Sequence, residues 1–377
     1  MKTTRREFVC GIGCGAAVLA VHGCASAAQA RDGSGSAAAA EASGLRDLLD
    51  PERGRILAAA ARAPSSHNSQ PWRVRVVGPD EWMIWPDASR RLPAVDPADR
   101  ELALSLGAFL EYLVTAAAAL GFDARLDVAA GSASAPDFIR VRLSTARSGP
   151  RGVEQLDRIA RRRTLRKGYS DTTLSQDDLT ALSDALGTRS RWCARGSKEA
   201  DWLADASVQS FQRQTWRDPA QLELARWVRF SDGEASRAAD GLTPDTMEVG
   251  GLAGFYMRHF MDAGSVAGKS FRDRGVDAVR EQAREGAGWL VLGAPDESTG
   301  SLLEAGRAFA RMALLLRERR LAVHPMSQVL EEDPWRREIG SKLGLGTPQF
   351  VLRVGYVERY PEPVSLRRPV SSFASPG

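Results

Sequence analysis

The stretch APSSHNSQPW, residues 63–72, places six polar side chains between two prolines and ends on a tryptophan. It follows the helical pattern of residues 51–63 and precedes the alternating strand pattern WRVRVV of residues 72–77. Four of its side chains combine hydrogen-bond donors and acceptors without charge: Ser65, Ser66, Asn68 and Gln70. At a turn between a helix and a strand, such groups suit the edge of a planar heterocycle. On composition alone, a well-hydrogen-bonded turn is the favoured interpretation.

A nucleophilic interpretation of the same stretch would use Ser66 with His67 as its base, and a hydrolase is kept as a remote alternative. A catalytic serine needs a base placed across space and an oxyanion hole, which adjacency in sequence does not supply. The sequence has no G-x-S-x-G turn. The histidines at 67, 259 and 324 lack the H-x-x-x-H spacing of zinc ligands, so no metal site is predicted.

A second motif, RRRTLR at residues 161–166, combines four arginines with a threonine. Arginine forks bind phosphate through two hydrogen bonds, and a threonine hydroxyl can add a neutral one. A solvated basic helix end is the alternative. LRRP at residues 366–369 offers two more arginines near the C-terminus. Because there is no G-x-x-x-x-G-K-[ST] loop and no strand-linked G-x-G-x-x-G, the familiar nucleotide loops are not favoured.

The N-terminal residues have the pattern of an export signal. The pair Arg5-Arg6 precedes a weakly apolar run from Val9 to Val21, and small residues follow as cleavage options. We expect a twin-arginine signal peptide over residues 1–30 and a periplasmic or cell-envelope protein. The apolar run is too short to remain as a membrane span in the mature chain. VHGC, which ends at Cys24, leaves a lipid anchor at that cysteine as the minority alternative.

Composition limits the partners of the mature chain. The chain has 377 residues, 43% of them hydrophobic, which suffices for one large core or two ordinary domains. The net charge is +4, but the basic residues form no stripe with interleaved aromatics, so nucleic acid is not expected as a partner. Residues 31–44 have the composition of a flexible linker. After signal removal only Cys193 remains, which predicts a small buried hydrophobe and no internal disulfide.

Two units are predicted beyond the linker, at residues 45–150 and 151–377. In each, a helix leads to a strand with a tryptophan, Trp72 in the first and Trp192 in the second. The long apolar helices at 96–122 and 299–320 can also be aligned so that Gly107 matches Gly306. We interpret the units as distant copies, and a fused pair can build one site from both halves as a symmetric dimer does.

The stretch from 231 to 254 separates helical patterns within the second unit. It is rich in glycine and aspartate and has little periodicity. We therefore predict a long loop or lid there.

Together, PSSHNSQPW (64–72) and RRTLR (162–166) resemble the two signature turns of the FMN-dependent nitroreductase family. The family pairs an R-R-S/T-x-R turn with a downstream P-S-x-x-N-x-Q-P-W turn, and here the order is reversed. One turn in each half resembles the tandem, Acg-like branch, in which one polypeptide mimics the dimer. The resemblance covers about residues 45–370. It implies an α+β protein with a nitroreductase-like three-layer α/β/α fold, built from two related half-domains fused as a pseudo-dimer.

The resemblance also implies which residues contact the cofactor. The arginine turn would bind the FMN phosphate, ribityl chain and pyrimidine edge, and the amides of HPMSQ (324–328) would approach flavin N5. The implied cofactor-binding set is Pro64, Ser65, Ser66, Asn68, Gln70, Arg162, Arg163, Thr164, Arg166, Pro325, Met326, Ser327, Arg367 and Arg368. The flavin carries the chemistry, so no protein side chain is assigned a catalytic role.

We therefore expect an exported FMN-binding oxidoreductase. Hydride would pass from NAD(P)H or another donor through flavin N5 to a small electron-poor acceptor. The first unit has DPERGR (50–55) where a second arginine turn would be expected, so one flavin site is predicted. A central segment, 231–265, is longer than a simple reductase needs and could cover the flavin as a lid. The alternative function is FMN sequestration or storage with little or no turnover.

Overall fold

The computed structural model describes residues 44, 45, 47–129 and 138–377. The predicted signal peptide, the lipidation option at Cys24 and all but the last residue of the predicted linker lie outside these residues. Within them, helices alternate with two mainly antiparallel sheets, which confirms the α+β class. Cys193 is buried and forms no disulfide within the described residues.

Twelve helices and nine strands are labelled here in chain order within the described ranges. The helices are α1 (Pro51–Ala60), α2 (Arg100–Ala119), α3 (Glu154–Arg161), α4 (Gln176–Leu186), α5 (Lys198–Thr215), α6 (Asp218–Trp227), α7 (Asp232–Ala238), α8 (Gly251–Phe260), α9 (Ala263–Val266), α10 (Lys269–Gln282), α11 (Thr299–Glu318) and α12 (Trp335–Leu343). The strands are β1 (Trp72–Gly78), β2 (Glu81–Pro86), β3 (Phe122–Val128), β4 (Ile139–Thr145), β5 (Ser190–Ala194), β6 (Gly288–Ala294), β7 (Leu321–Pro325), β8 (Thr347–Tyr356) and β9 (Ala374–Pro376).

The two sheets repeat one strand order. The first sheet runs β3-β4-β2-β1-β9 and the second β5-β6-β8-β7. Without β9, and read from the same end, the orders are β3-β4-β2-β1 and β7-β8-β6-β5. In chain order, the long helix α2 connects β2 to β3 in the first set, and the long helix α11 connects β6 to β7 in the second. Helices α5 to α10 lie between β5 and β6, where the first sheet has only a tight turn.

Helices α2 and α11 contact each other reciprocally through two glycines. A Cβ atom added to Gly107 would lie 2.1 Å from the carbonyl oxygen of Leu303, and one added to Gly306 would lie 2.1 Å from that of Leu104. Each leucine precedes the glycine of its own helix by three residues. Contacts in which i meets j and j meets i are typical of a two-fold axis. Gly107 and Gly306 are also the residues that match when the sequences of the two long helices are aligned.

Helix α2 is the core helix of the first half. By length and composition it could cross a membrane, with a mean hydropathy of 1.7, but 83% of that stretch is buried inside the protein. Phe109 packs on Trp72 of β1 with ring centroids 4.8 Å apart. In the second half, Phe309 of α11 stacks on Phe350 of β8 at 4.4 Å. Each half therefore packs its own sheet against its own long helix.

The C-terminal tail returns to the first sheet. Strand β9 pairs in parallel with β1, and Val74 N–H donates to the carbonyl of Phe373 at 2.9 Å. Phe373 is buried and meets Phe109 edge to face at 6.2 Å. The sequence analysis singled out only the two arginines of LRRP here. A three-residue strand was missed because its pairing comes from the distant β1 and not from local periodicity.

The prediction of a long loop over 231–254 is wrong in its secondary structure, because α7 and the start of α8 lie there. The Ser231 side chain caps α7 by accepting the N–H of Glu234 at 3.2 Å. Acidic residues in the first turn of α7 favour the helix dipole, which compensates for weak periodicity. On α8, four large apolar side chains face outward: Leu252, Phe255, Tyr256 and Phe260.

Candidate functional site

The turn between α1 and β1 has a strained backbone. A single 3₁₀ turn spans Ser66–Asn68, and His67, Asn68 and Gln70 have φ values of 52°, 52° and 51°. The left-handed region disfavours side chains with a Cβ by about 1–2 kcal/mol per residue, so other contacts must hold this shape. Ser65 supplies one of them, because its Oγ accepts the N–H of Gln70 at 2.9 Å.

Asn68 joins the turn to two distant segments. Its Nδ2 donates to the carbonyls of Gly241 at 3.1 Å and Leu366 at 3.2 Å. Its Oδ1 accepts from the Arg367 guanidinium at 2.9 Å. We call residues 239–248 the strap, because this segment also reaches the arginine turn, as described below. The Asn68 side chain thus ties the turn to both the strap and the tail.

Gln70 makes a parallel set of bonds and is fully buried. Its Nε2 donates to Ala239 O at 2.8 Å and to Asn68 O at 3.4 Å, while its Oε1 accepts the N–H of Arg368 at 2.8 Å. Arg368 in turn donates to the carbonyls of Gln70 at 2.9 Å and Ser372 at 2.7 Å. Gln70 and Arg368, both predicted site residues, therefore use their side chains to hold the turn, the strap and the tail together.

The arginine turn follows the end of α3 and is held from the other end of the strap. Arg166 donates from Nε to Thr246 O at 3.1 Å, and its backbone N–H donates to Glu248 Oε2 at 3.0 Å. Arg163 lies 3.3 Å from Glu248 Oε1 and donates to Glu362 O at 2.8 Å. The strap therefore contacts both turns that the sequence singled out. Thr164 and Pro64, which belong to these turns, are half-buried.

Three arginines converge on a small pocket lined by Arg62, Arg162 and Arg367 together with Pro363 and Ser365. Arg162 is only 6% exposed, and its Nε and Nη1 atoms are buried without an acceptor, as is Nε of Arg367. Within the described ranges no carboxylate forms an ion pair with any of the three guanidiniums.

The charges in this pocket act on one another. Burial, and then the positive charges of Arg162 and Arg62, lower the pKa of Arg367 to about 9. Burial and the charge of Arg162 also lower the pKa of Arg62. The Tyr112 hydroxyl is buried without a hydrogen-bond partner. Burial raises its pKa overall, and the positive charges of Arg162 and Arg367 offset part of that rise. Donors without acceptors and cations without a counter-ion fit a phosphate group.

The loop after β7 is partly engaged in the second sheet. Met326 is buried, and its N–H donates to Val351 O at 2.8 Å. Ser327 Oγ accepts the N–H of Val351 at 3.2 Å. Pro325 has no N–H to offer. The Met326 amide could thus reach another acceptor only by giving up its bond to β8.

Two histidines adjoin Arg166, and both are held neutral. His324 lies between guanidiniums, with Nε2 3.0 Å from Arg166 and Nδ1 3.2 Å from Arg353. Burial and these two charges lower the pKa of His324 well below its ordinary value. Burial and the charge of Arg166 lower the pKa of His67 to about 4. Neither imidazole is therefore charged at neutral pH.

Ser66 does not donate to His67. Its hydroxyl donates to Glu101 Oε2 at 2.7 Å, across the start of α2. The Nδ1 atom of His67 is buried without a hydrogen-bond partner. The serine–base hydrogen bond that a hydrolase requires is thus not formed by this pair.

Curated relatives cover most of the chain, although no protein-family model matches it. The chain is 28% identical over 328 residues to "Putative NAD(P)H nitroreductase Rv3131" of Mycobacterium tuberculosis, covering 84% of this chain and 89% of the relative. It is 27% identical over 315 residues to "Probable NAD(P)H nitroreductase PigM" of Serratia, covering 78% and 86%. The chain is therefore similar, over most of its length, to proteins named as NAD(P)H nitroreductases. This similarity agrees with the resemblance of the two turns.

Solved nitroreductases are also similar to this chain. A nitroreductase with bound FMN from Desulfitobacterium hafniense has 13% identity and a TM-score of 0.32, covering 56% of this chain and 93% of that one. The FMN-dependent nitroreductase NfnB from Mycobacterium smegmatis, in complex with NADPH, has 12% identity and a TM-score of 0.31, covering 54% and 90%. Because both TM-scores are below 0.5, the similarity to nitroreductases rests on the curated relatives.

Three residues of this candidate site were not singled out from the sequence. Arg62 belongs to the arginine pocket, Glu101 accepts from Ser66, and Glu248 binds the arginine turn. Arg62 lies two residues before the PSSHNSQPW motif, which was a usable signal. Glu101 and Glu248 lie in segments whose sequence gave no comparable signal, and only the fold brings them to the two turns.

Proposed function

We propose that the chain is an FMN-dependent oxidoreductase of the nitroreductase type. The observation that carries the proposal is the pocket of Arg62, Arg162 and Arg367, which has unpaired buried donors and no carboxylate partner in the described part of the chain. Buried cations without counter-ions are unfavourable, and a phosphate monoester would compensate them. The names of the relatives, NAD(P)H nitroreductases, support a nicotinamide donor and a small electron-poor acceptor.

The remaining predicted residues would orient the rest of the cofactor. Arg166 would place its guanidinium at the pyrimidine edge, where fixed positive charge favours a reduced, anionic ring. Ser66 and Asn68 would adjoin the ring from the first half, and Pro325 to Ser327 would flank it from the second. When bound, FMN would supply hydride transfer through its N5 atom. The protein's part is to bind the cofactor, orient it and exclude water.

We also propose that the two halves, 45–150 and 151–377, form a pseudo-dimer within one chain. The repeated strand order and the reciprocal contact of Gly107 and Gly306 support this. Each half gives one signature turn to the same site, as subunits of a symmetric dimer share an interface site. For the N-terminal residues, we propose twin-arginine export to the periplasm or cell envelope, with a lipid anchor at Cys24 as the alternative.

Sequestration is the competing function, and the contacts between the strap and the arginine turn favour it. The strap binds Arg163 and Arg166 through Glu248 and Thr246, so it lies over the arginine turn. A strap that stays in place would restrict access of a donor or acceptor to a bound flavin. A turnover assay separates the two functions: a reductase bleaches its bound FMN with NADPH and recovers it with a nitro compound, whereas a storage protein resists both.

The arginine pocket gives the first test. We expect Arg162→Ala combined with Arg367→Ala to weaken FMN binding at least 100-fold, because the phosphate would lose two charge-assisted partners. Titration of flavin-free protein with FMN, followed by fluorescence, measures this affinity. Arg161→Ala is the matched control, because its exposed side chain pairs with Asp157 outside the pocket. Equal FMN affinity in the double variant and the control would exclude the phosphate assignment.

A further inference from the structure

Reduction of an electron-poor acceptor consumes a proton as well as a hydride, and this inference rests on the function proposed above. The two histidines beside Arg166 are poor proton donors, because burial and neighbouring arginines keep His67 and His324 uncharged at neutral pH. Among the described residues of the two turns, the Ser66 hydroxyl is the group connected to a buried carboxyl group.

Glu101 is placed to control that hydroxyl. Its side chain is 9% exposed, Oε2 lies 2.7 Å from Ser66 Oγ, and Oε1 pairs with Arg100. The backbone N–H of Ser66 points toward Ser105 Oγ at 3.4 Å, which in turn donates to Glu101 O at 2.7 Å. These bonds fix Ser66 against the first turn of α2.

Two further carboxyl groups interact electrostatically with Glu101. Asp96 is 5% exposed and accepts the N–H of Leu102 at 3.0 Å, and Glu331 accepts from the Gln214 amide at 2.6 Å. Burial and the negative charge of Glu101 raise the pKa of Asp96 to about 6 and that of Glu331 to about 8. Glu331 therefore carries a proton at neutral pH, and the cluster has one proton to supply.

The other charged groups around this cluster have partners of their own. Arg100 donates to Gln349 O of β8 at 2.8 Å and is the cation nearest the three acids. Glu332 pairs with Arg217 at 2.7 Å and with Arg213 at 3.5 Å, so its charge is compensated from α5 and the start of α6. The cluster thus combines three acids with one shared arginine.

We propose that Ser66 delivers a proton from this carboxyl cluster to the acceptor, with Glu101 as the positioning residue that orients the hydroxyl and restores its proton. When the proton of the cluster moves to Glu101, the carboxyl group donates to Ser66 Oγ and the Ser66 hydroxyl is free to point into the site. The Ser66 O–H bond breaks as its proton joins the acceptor. The Glu101 proton moves to Ser66 Oγ in the same step, which leaves a carboxylate at Glu101, and a proton taken up from solvent restores the proton of the cluster. The two electrons come from the nicotinamide donor, which is oxidised while the acceptor is reduced.

The test compares two acceptors in the FMN-loaded enzyme. We expect Glu101→Gln to slow reduction of a quinone or nitro compound about 100-fold, since glutamine holds the serine but cannot supply a proton. Reoxidation by ferricyanide, which takes electrons without protons, should stay within twofold. The wild-type quinone rate should fall as pH rises from 6 to 9, and the Glu101→Gln rate should be flat. Glu304→Gln, a half-exposed carboxyl on α11, is the matched control. Equal slowing of both acceptors, or of neither, would overturn the proposal.

A second measurement needs no cofactor. The infrared spectrum of flavin-free protein at pH 7 should contain a protonated-carboxyl band that disappears by pH 10 and in Glu331→Gln. Absence of this band would overturn the proton supply even if bound FMN turns over. A protein that has the band but takes up no FMN would instead refute the proposed oxidoreductase function and leave the protonation of the cluster intact.

Discussion

At the scale of single residues, buried charge distinguishes the site from the rest of the protein. Most buried ionic groups have a counter-ion, as Asp240 has in Arg90 at 2.8 Å and Arg229 at 2.7 Å. The arginine pocket and the carboxyl cluster at the start of α2 depart from this pattern in opposite directions. One concentrates positive charge and the other acid groups, and Ser66 and Glu101 lie between the turn and the acids. Such unbalanced groups are typical of functional sites.

The raised pKa of Glu331 predicts a pH dependence of stability. Its pKa of about 8 in the folded protein exceeds the ordinary value of 4.5, so the folded state keeps a proton that the unfolded chain releases. The free energy of unfolding should therefore fall as pH rises from about 5 to about 8. We expect Glu331→Gln to raise Tm relative to wild type by a few degrees at pH 8 and by little at pH 5.

Thermal unfolding of the flavin-free protein at both pH values measures this difference. Glu281→Gln on α10 is the control, because that side chain is exposed. A gain in Tm of the same size at pH 5 and pH 8 would show that Glu331 is not the group responsible.

At the scale of elements, the crossing of α2 and α11 has the least tolerance for change. A Cβ on either glycine would lie 2.1 Å from a backbone oxygen, a distance that side-chain rotation cannot relieve. We expect Gly107→Ala to lower the free energy of unfolding by about 2–3 kcal/mol, because the helices must separate. Denaturant unfolding measures it. In α1, Gly54 has nothing within 4 Å of an added Cβ, so Gly54→Ala should be neutral or stabilising. Similar losses in both variants would mean that the crossing is not the cause.

At the scale of the whole molecule, local patterns were predicted well and long-range pairings were not. The helix predicted at 96–122 is present as α2, and the strand pattern WRVRVV of residues 72–77 is present as β1. The helix predicted at 299–320 is present as α11. Each of these signals repeats over residues that are close together in the sequence. The pairing of β9 with β1, the contacts of the strap with both turns and the contact of Arg62 with Arg367 join residues 80 to 305 positions apart, which periodicity does not encode.

The C-terminal tail extends from the second half to the first. Residues 366–376 supply an arginine to the pocket, hydrogen bonds to Gln70 and a strand to the first sheet. Phe373 anchors it, at 2% exposure, against Phe109. We expect Phe373→Ala to cost about 3–5 kcal/mol of unfolding free energy. It should also weaken FMN binding at least 10-fold, because Arg367 lies on the released segment.

Denaturant unfolding and FMN titration of the same samples measure both effects. Val364→Ala, at a half-exposed tail position, should change neither. The tail links stability to cofactor binding only if the two losses occur together. A variant that loses stability but binds FMN as tightly as wild type would show that Arg367 is held in the pocket by Asn68 and the Arg62 carbonyl without the β9 anchor.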